Sequence, residues 1–140
     1  MASAARLYSG DVLALATGLA NWPLTPDLTL TGSARSPACG STLTVGLDLA
    51  ADGRIARIGL RAQACAIGQA AAAIFAAHGV GADRGAIAAM LAALEQWLIG
   101  NGPQPDWPGL DAIAPARDFP GRHGAMLLPW RAALEALPTA

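Results

Sequence analysis

The sequence predicts an α+β fold, a three-stranded antiparallel sheet covered by helices, on three observations. From Thr42 to Leu49 apolar and polar residues alternate with a period of two, and an Asp52-Gly53 turn signal leads into a second short extended segment. At Cys65 the period changes to three and four residues and stays helical almost to the end of the chain. The order is therefore helix, strands, then helices, which segregates the layers instead of alternating them.

Each element has a local reason. Val12, Leu13, Leu15, Ala16 and Leu19 are spaced as a short first helix over about residues 8–19, with Ser9 placed as its N-cap. Asn21, Trp22, Pro23 and Pro26 break it and leave an extended connector, because proline restricts both itself and its predecessor. Leu28 and Leu30 alternate with Thr29 and Thr31 as a first strand, and Gly32 to Gly40 reads as a loop that delivers Cys39. Leu43, Val45, Leu47 and Leu49 mark one face of the second strand, and Ile55, Ile58 and Leu60 mark the third, so the sheet is expected to bury one face. Ile67, Ala70, Ala71, Ile74 and Phe75 form a helix closed by Gly79 and Gly81. Asp83 opens the next, with Ile87, Met90, Leu91, Leu94, Trp97 and Leu98 as its stripe, stopped by Gly100 to Pro103. After a proline-rich loop, Leu110, Ile113 and Ala114 allow one or two turns. A final helix spans Pro120 to Leu137, where Pro129 is expected to bend or break it. Trp97 and Trp130 fit core stripes, whereas Trp22 and Trp107 lie in proline-rich loops and suit either a satellite cluster or a partner surface.

Composition narrows the function. At 140 residues the chain suits a single domain, residues 1–140. All nine basic residues are arginine, spread singly, and the net charge is −1, so the basic patch of a nucleic-acid binder is absent. No apolar run reaches the roughly 18 residues of a spanning helix, and the start lacks the pattern of a signal peptide, so no membrane role and a cytoplasmic, reducing location are expected. Two cysteines in such a compartment suit free thiols or ligands better than a structural disulfide. There is no phosphate-binding glycine loop, nucleophile elbow or paired-histidine metal helix, and the carboxylates are scattered. A non-enzymatic role is expected.

The chemistry then rests on Cys39 and Cys65. They are far apart in sequence, but a hairpin turning at Asp52-Gly53 places them at the same end of the sheet. Cys65, at the mouth of a helix, gains thiolate stabilisation from unpaired N–H groups and the helix dipole. A small buried apolar role is the alternative for either cysteine. His123 suits either a solvated surface position or a ligand; His78 suits a helix end facing water; Arg35 and Arg122 flank the proposed pocket and would favour thiolates.

The run Ser36-Pro37-Ala38-Cys39-Gly40-Ser41, the strands around Asp52-Gly53, the segment Ala64-Cys65-Ala66-Ile67-Gly68-Gln69-Ala70 and the C-terminal Phe119 to Trp130 resemble the IscU/NifU/SufU-type iron–sulfur cluster scaffold proteins. The SufU branch is the nearest in pattern. The resemblance implies a SufU/IscU-like fold and a transient carrier of sulfur, iron or cluster, with an iron–sulfur cluster or zinc as weakly held cofactor. It also implies a cysteine desulfurase and cluster acceptor proteins as partners. The family holds metal with three cysteines and an aspartate. Here the aspartate position is Ser41 and the third cysteine aligns with Ala125, so Cys39, Cys65 and His123 are the candidate ligands. Neither a serine hydroxyl nor an alanine is a useful ligand beside thiolate. A degenerate binding module for the assembly machinery and a two-thiol redox pair are the alternatives, and a SufU-like zinc-dependent sulfurtransferase is weakened by the missing ligands.

Overall fold

The computed structural model describes residues 7–139. Helix α1, Gly10–Gly18, opens on Ser9, whose Oγ accepts the Val12 N–H at 3.2 Å. Strands β1 (Leu30–Arg35), β2 (Thr42–Leu49) and β3 (Ile55–Gln63) form one antiparallel sheet in the order β1-β2-β3. Helices α2 (Ala66–Gly79), α3 (Arg84–Leu98) and α4 (His123–Ala136) follow, with short 3-10 turns between residues 110 and 122. The α+β class with a helix-covered three-stranded sheet is as the sequence predicts.

Three local expectations are corrected. First, β1 begins at Leu30 and runs to Arg35 through the stretch read as a loop. Gly32 explains this: a Cβ there would lie 2.3 Å from Ala132 O and 2.5 Å from Ala136 N, so the missing side chain lets the strand lie directly on the α4 backbone. Second, the hairpin is not a two-residue turn. The Gly53 N–H reaches Ala50 O at 2.9 Å and the Ala50 N–H reaches Arg54 O at 2.8 Å, so the loop runs from Ala50 to Arg54. Asp52 keeps a negative φ and Gly53 alone adopts +82°, which rules out the primed turn, whose two central residues both need positive φ. Third, the sheet is covered on both faces. Leu43, Val45 and Leu47 are at most 1% exposed on the helix side. On the other side the connector crosses Gly46 and Gly59, where an added Cβ would meet Leu24 Cδ1 at 2.7 Å and Pro23 O at 2.4 Å.

The helical layer is small-residue packing around one aromatic cluster. Ala70 to Ala73 of α2 are all buried, and Phe75, Trp107 and Trp130 meet at centroid distances of 5.4–6.0 Å. Trp107 stacks on Phe75 and donates its indole N–H to Ile74 O at 2.9 Å, which fixes this loop residue to the core. Trp130 is fully buried in α4, and Trp97 is 5% exposed. Helix α4 continues through Pro129, which is buried within it. The proline removes one i→i−4 donor without ending the helix, since packing on α2, α3 and the sheet holds it in place. No described helix is long and apolar enough to cross a membrane.

Candidate functional site: two thiols at one end of the sheet

The ladder between β2 and β3 ends with the pair Thr42 and Gln63, so the chain segments carrying Cys39 and Cys65 leave the sheet at one end. Before β2, the Ser36 N–H takes Ser41 O and the Gly40 N–H takes Ser36 O, both at 2.8 Å, and Gly40 has φ +73°. That closed loop holds Cys39 half-buried, with its thiol 3.1 Å from Ser41 Oγ. After β3, Cys65 is the N-cap of α2 in extended geometry and makes no side-chain cap hydrogen bond. Both cysteines are free.

The α4 end of the site comes from the other side of the molecule. Gly68 in the first turn of α2 lies against Ala125 in the first turn of α4, where an added Cβ would stand 3.5 Å from Ala125 Cβ. Gly124 lies against Ser36: a Cβ on it would be 2.2 Å from Ser36 Oγ. Arg122, just before α4, completes the group, and its Nη2 lies 3.5 Å from the Tyr8 hydroxyl. The structure therefore places Ala125 at the contact between α2 and α4, buried and without a donor atom.

Electrostatics favour negative charge here. The hydroxyls of Ser36 and Ser41 hold the Cys39 thiol below its ordinary value of 9.0, with the Arg122 charge adding to them. Arg122 is held more firmly protonated than a free arginine, first by Tyr8 and then by the charges of Cys65 and Cys39. One guanidinium thus feels both thiols. Arg35, the other flanking arginine, is exposed at the end of β1. Alkylation of the metal-free protein tests the Cys39 environment. The iodoacetamide rate at Cys39 should reach half-maximum below pH 9.0, because a depressed thiol is already thiolate there, and Ser36→Ala or Ser41→Ala should move that midpoint upward. A wild-type midpoint at or above 9.0 would contradict this placement.

His123 opens α4 half-buried, with Nε2 2.6 Å from Arg117 O. That nitrogen is engaged by backbone, leaving Nδ1. Among the described residues no three His, Cys, Asp or Glu side chains are grouped closely enough to hold a metal. Two thiolates without an assembled third donor do not fit a resident tetrahedral zinc, so metal or cluster enters the argument only as cargo. His78 is exposed at the end of α2. Tyr8 and Gly124 do not stand out in the sequence as site residues, and Ser36, read there only as part of the loop before Cys39, is fully buried. A glycine in the first turn of a helix, directly before the ligand-position alanine, was the available signal for close approach of another chain segment.

No protein-family profile matches the chain, and no curated protein matches it. Solved structures do. The N-terminal domain of a nitrogen-fixing NifU-like protein from Brucella abortus superposes with a TM-score of 0.83 at 28% identity, covering 94% of this chain and 92% of that one. The chain resembles the NifU-like scaffold domains. A candidate iron–sulfur cluster assembly scaffold protein for the SUF system, from thermophilic Fervidobacterium islandicum AW-1, shares the fold at TM-score 0.83 and 17% identity, over 97% of this chain and 100% of that one. Both structures share the fold over nearly the whole chain.

Proposed function

We propose that the protein is a scaffold-like component of iron–sulfur cluster assembly that carries sulfur, iron or cluster transiently on Cys39 and Cys65. One observation carries the reading: on a NifU-like fold, the β2–β3 ladder ends at Thr42 and Gln63, so Cys39 and Cys65, both free and half-buried, leave the sheet at one end. Half-buried, free thiols beside a fixed positive charge are suited to accept sulfur and to release it again. A cysteine desulfurase as donor and cluster proteins as acceptors follow from this reading, as do a cytoplasmic setting and the absence of a catalytic cycle of the protein's own. With Ser41 and Ala125 at two ligand positions, a cluster held on the thiols needs a further donor from a partner or an exogenous thiol. His123 contributes only through Nδ1, or after Nε2 leaves Arg117 O.

The test is anaerobic reconstitution with ferrous iron, cysteine and a cysteine desulfurase. Sulfur or iron bound per chain should be present in the wild type and fall at least tenfold in a Cys39→Ala/Cys65→Ala variant; a wild type that binds neither sulfur nor iron sinks the carrier reading. A second reading is favoured by the buried Ala125, which supplies no donor where the α2 and α4 turns touch. The chain then docks on the assembly machinery without holding a cluster, and binding to the desulfurase survives the double substitution.

A further inference from the structure

The sheet face turned away from the helices is built by the connector before β1. A Cβ on Gly46 or Gly59 would stand 2.8 or 2.6 Å from Leu28 Cδ1, and the Leu60 N–H is bonded to Trp22 O at 2.8 Å, so the connector lies down on β2 and β3. Beside it opens a cavity of about 270 Å³ with apolar walls from Leu24, Pro26 and Leu28 and a polar lining from Thr25, Thr31 and Arg61. The strand register sets Ser33, Thr44 and Arg61 in one row of this face, and Arg35, Thr42 and Gln63 in the next row toward the cysteine end. Two strands and one row apart, the Cα atoms of Arg35 and Arg61 are about 12 Å from each other. Both arginines are exposed, and neither has an ion-pair partner among the described residues. The carboxylates at this face are already engaged, because Asp27 and Asp48 both pair with Arg57 toward the hairpin end. The cysteine end of the face thus carries two uncompensated positive charges beside an apolar hollow.

We propose that this face is a docking surface for an acidic segment of a partner protein. One carboxylate pairs with Arg61, an adjoining apolar side chain rests on Leu24, Pro26 and Leu28, and a second carboxylate reaches Arg35. The cavity is smaller than the roughly 300–1,000 Å³ of drug-sized ligand sites, which suits a single inserted side chain. Two free guanidiniums about 12 Å apart exceed the span of one small anion and match a chain that carries several acids. Guanidinium takes carboxylate in a bidentate pair, and the hydroxyls of Thr31, Ser33 and Thr44 lie on the same face to donate to further oxygens. A nucleic acid is not the occupant, since a phosphate backbone is held by many neutralised charges and gains nothing from an apolar wall. Arg35 directly precedes the loop that holds Cys39, and Arg61 lies on β3, the strand that leads to Cys65. A segment docked here lies next to the end of the sheet from which both cysteines leave. The docking does not rest on the carrier reading above.

The test is an NMR titration of the full chain with a short capped peptide alternating glutamate and leucine, its glutamine counterpart, and inorganic phosphate. The glutamate peptide should shift the amide resonances of residues 24–35 and 61–63 saturably, and added salt should weaken it. Arg61→Gln should weaken binding about tenfold, Arg61→Lys should recover part of the loss, and Arg35→Gln should weaken binding by a smaller factor. No saturable shift, or an unchanged affinity in both Arg61→Gln and Arg35→Gln, overturns the surface. A glutamine peptide that binds as tightly overturns the acidic partner, and phosphate that binds as tightly as the peptide overturns a segment as the occupant. Cys39→Ala/Cys65→Ala protein should bind the peptide with unchanged affinity, whatever becomes of sulfur or iron transfer. A tenfold loss in that variant would move the contact to the thiols and overturn this placement.

Discussion

A Gly32→Ala variant should lose about 3 kcal/mol or more of stability, or fail to accumulate as folded protein. A single methyl is ordinarily a small perturbation, and overpacking in a core typically costs about 1–3 kcal/mol. The position is severe because the obstructing atoms are backbone, Ala132 O at 2.3 Å and Ala136 N at 2.5 Å, which cannot rotate away as a side chain does. Relief requires β1 to separate from α4, and α4 sets Gly124 against Ser36 and Ala125 against Gly68 and holds Arg122 at its start. The chemical-denaturation midpoint reports the loss. Gly85→Ala in α3 is the control, because its nearest neighbour would be Asp83 Oδ1 at an ordinary 3.5 Å, and it should be neutral or slightly stabilising. Equal midpoints for wild type and Gly32→Ala would show that the strand does not lie on the helix as described.

Trp130→Ala should cost about 3–5 kcal/mol, the range for deleting a buried aromatic side chain. Trp130 is fully buried and meets Phe75 and Trp107 edge-on, so its loss removes two aromatic contacts and opens a cavity between α2 and α4. Trp130→Phe should recover much of the difference. Its indole Nε1 has no partner, so replacing the indole by a ring without a polar atom removes an unsatisfied donor as well as volume. Thermal unfolding separates these outcomes: Phe unfolding at or below the temperature of Ala would mean that the packing of the ring matters less than the indole itself.

The sequence shows most of this fold because its periodicities are clean. The alternation from Thr42 to Leu49, the change of period at Cys65 and the caps Ser9 and Asp83 each map onto an observed element boundary. What it hides is set by glycine. Gly32 reads as a loop residue by composition, yet it continues a strand, because the absence of a side chain answers to a helix far along the chain and not to its neighbours. Gly46 and Gly59 likewise conceal the second covered face of the sheet. At the site, the meeting of the two cysteine-bearing segments follows from hairpin geometry and is legible, and the gaps at Ser41 and Ala125 are visible by resemblance. The uncapped helix ends and the Ser36 hydroxyl buried beside Cys39 are not legible, since both depend on tertiary placement.

The contact between Gly32 and α4 also bears on the order in which the molecule comes together. Ser36 and Cys39 follow β1, whereas Arg122, Gly124 and Ala125 belong to the start of α4. The hairpin of β2 and β3 and the helix α2 can form from sequence-local contacts, but the thiol site is closed only when the last helix lays its backbone along the first strand. Such distant pairings come late because loop-closure entropy must be met before they give any return. Until then Cys39 and Cys65 share a sheet end without Arg122, exposed and with no fixed positive charge between them. Assembly of the site is thereby tied to completion of the whole chain, and a partly folded molecule presents its two cysteines without the arginine that closes the group.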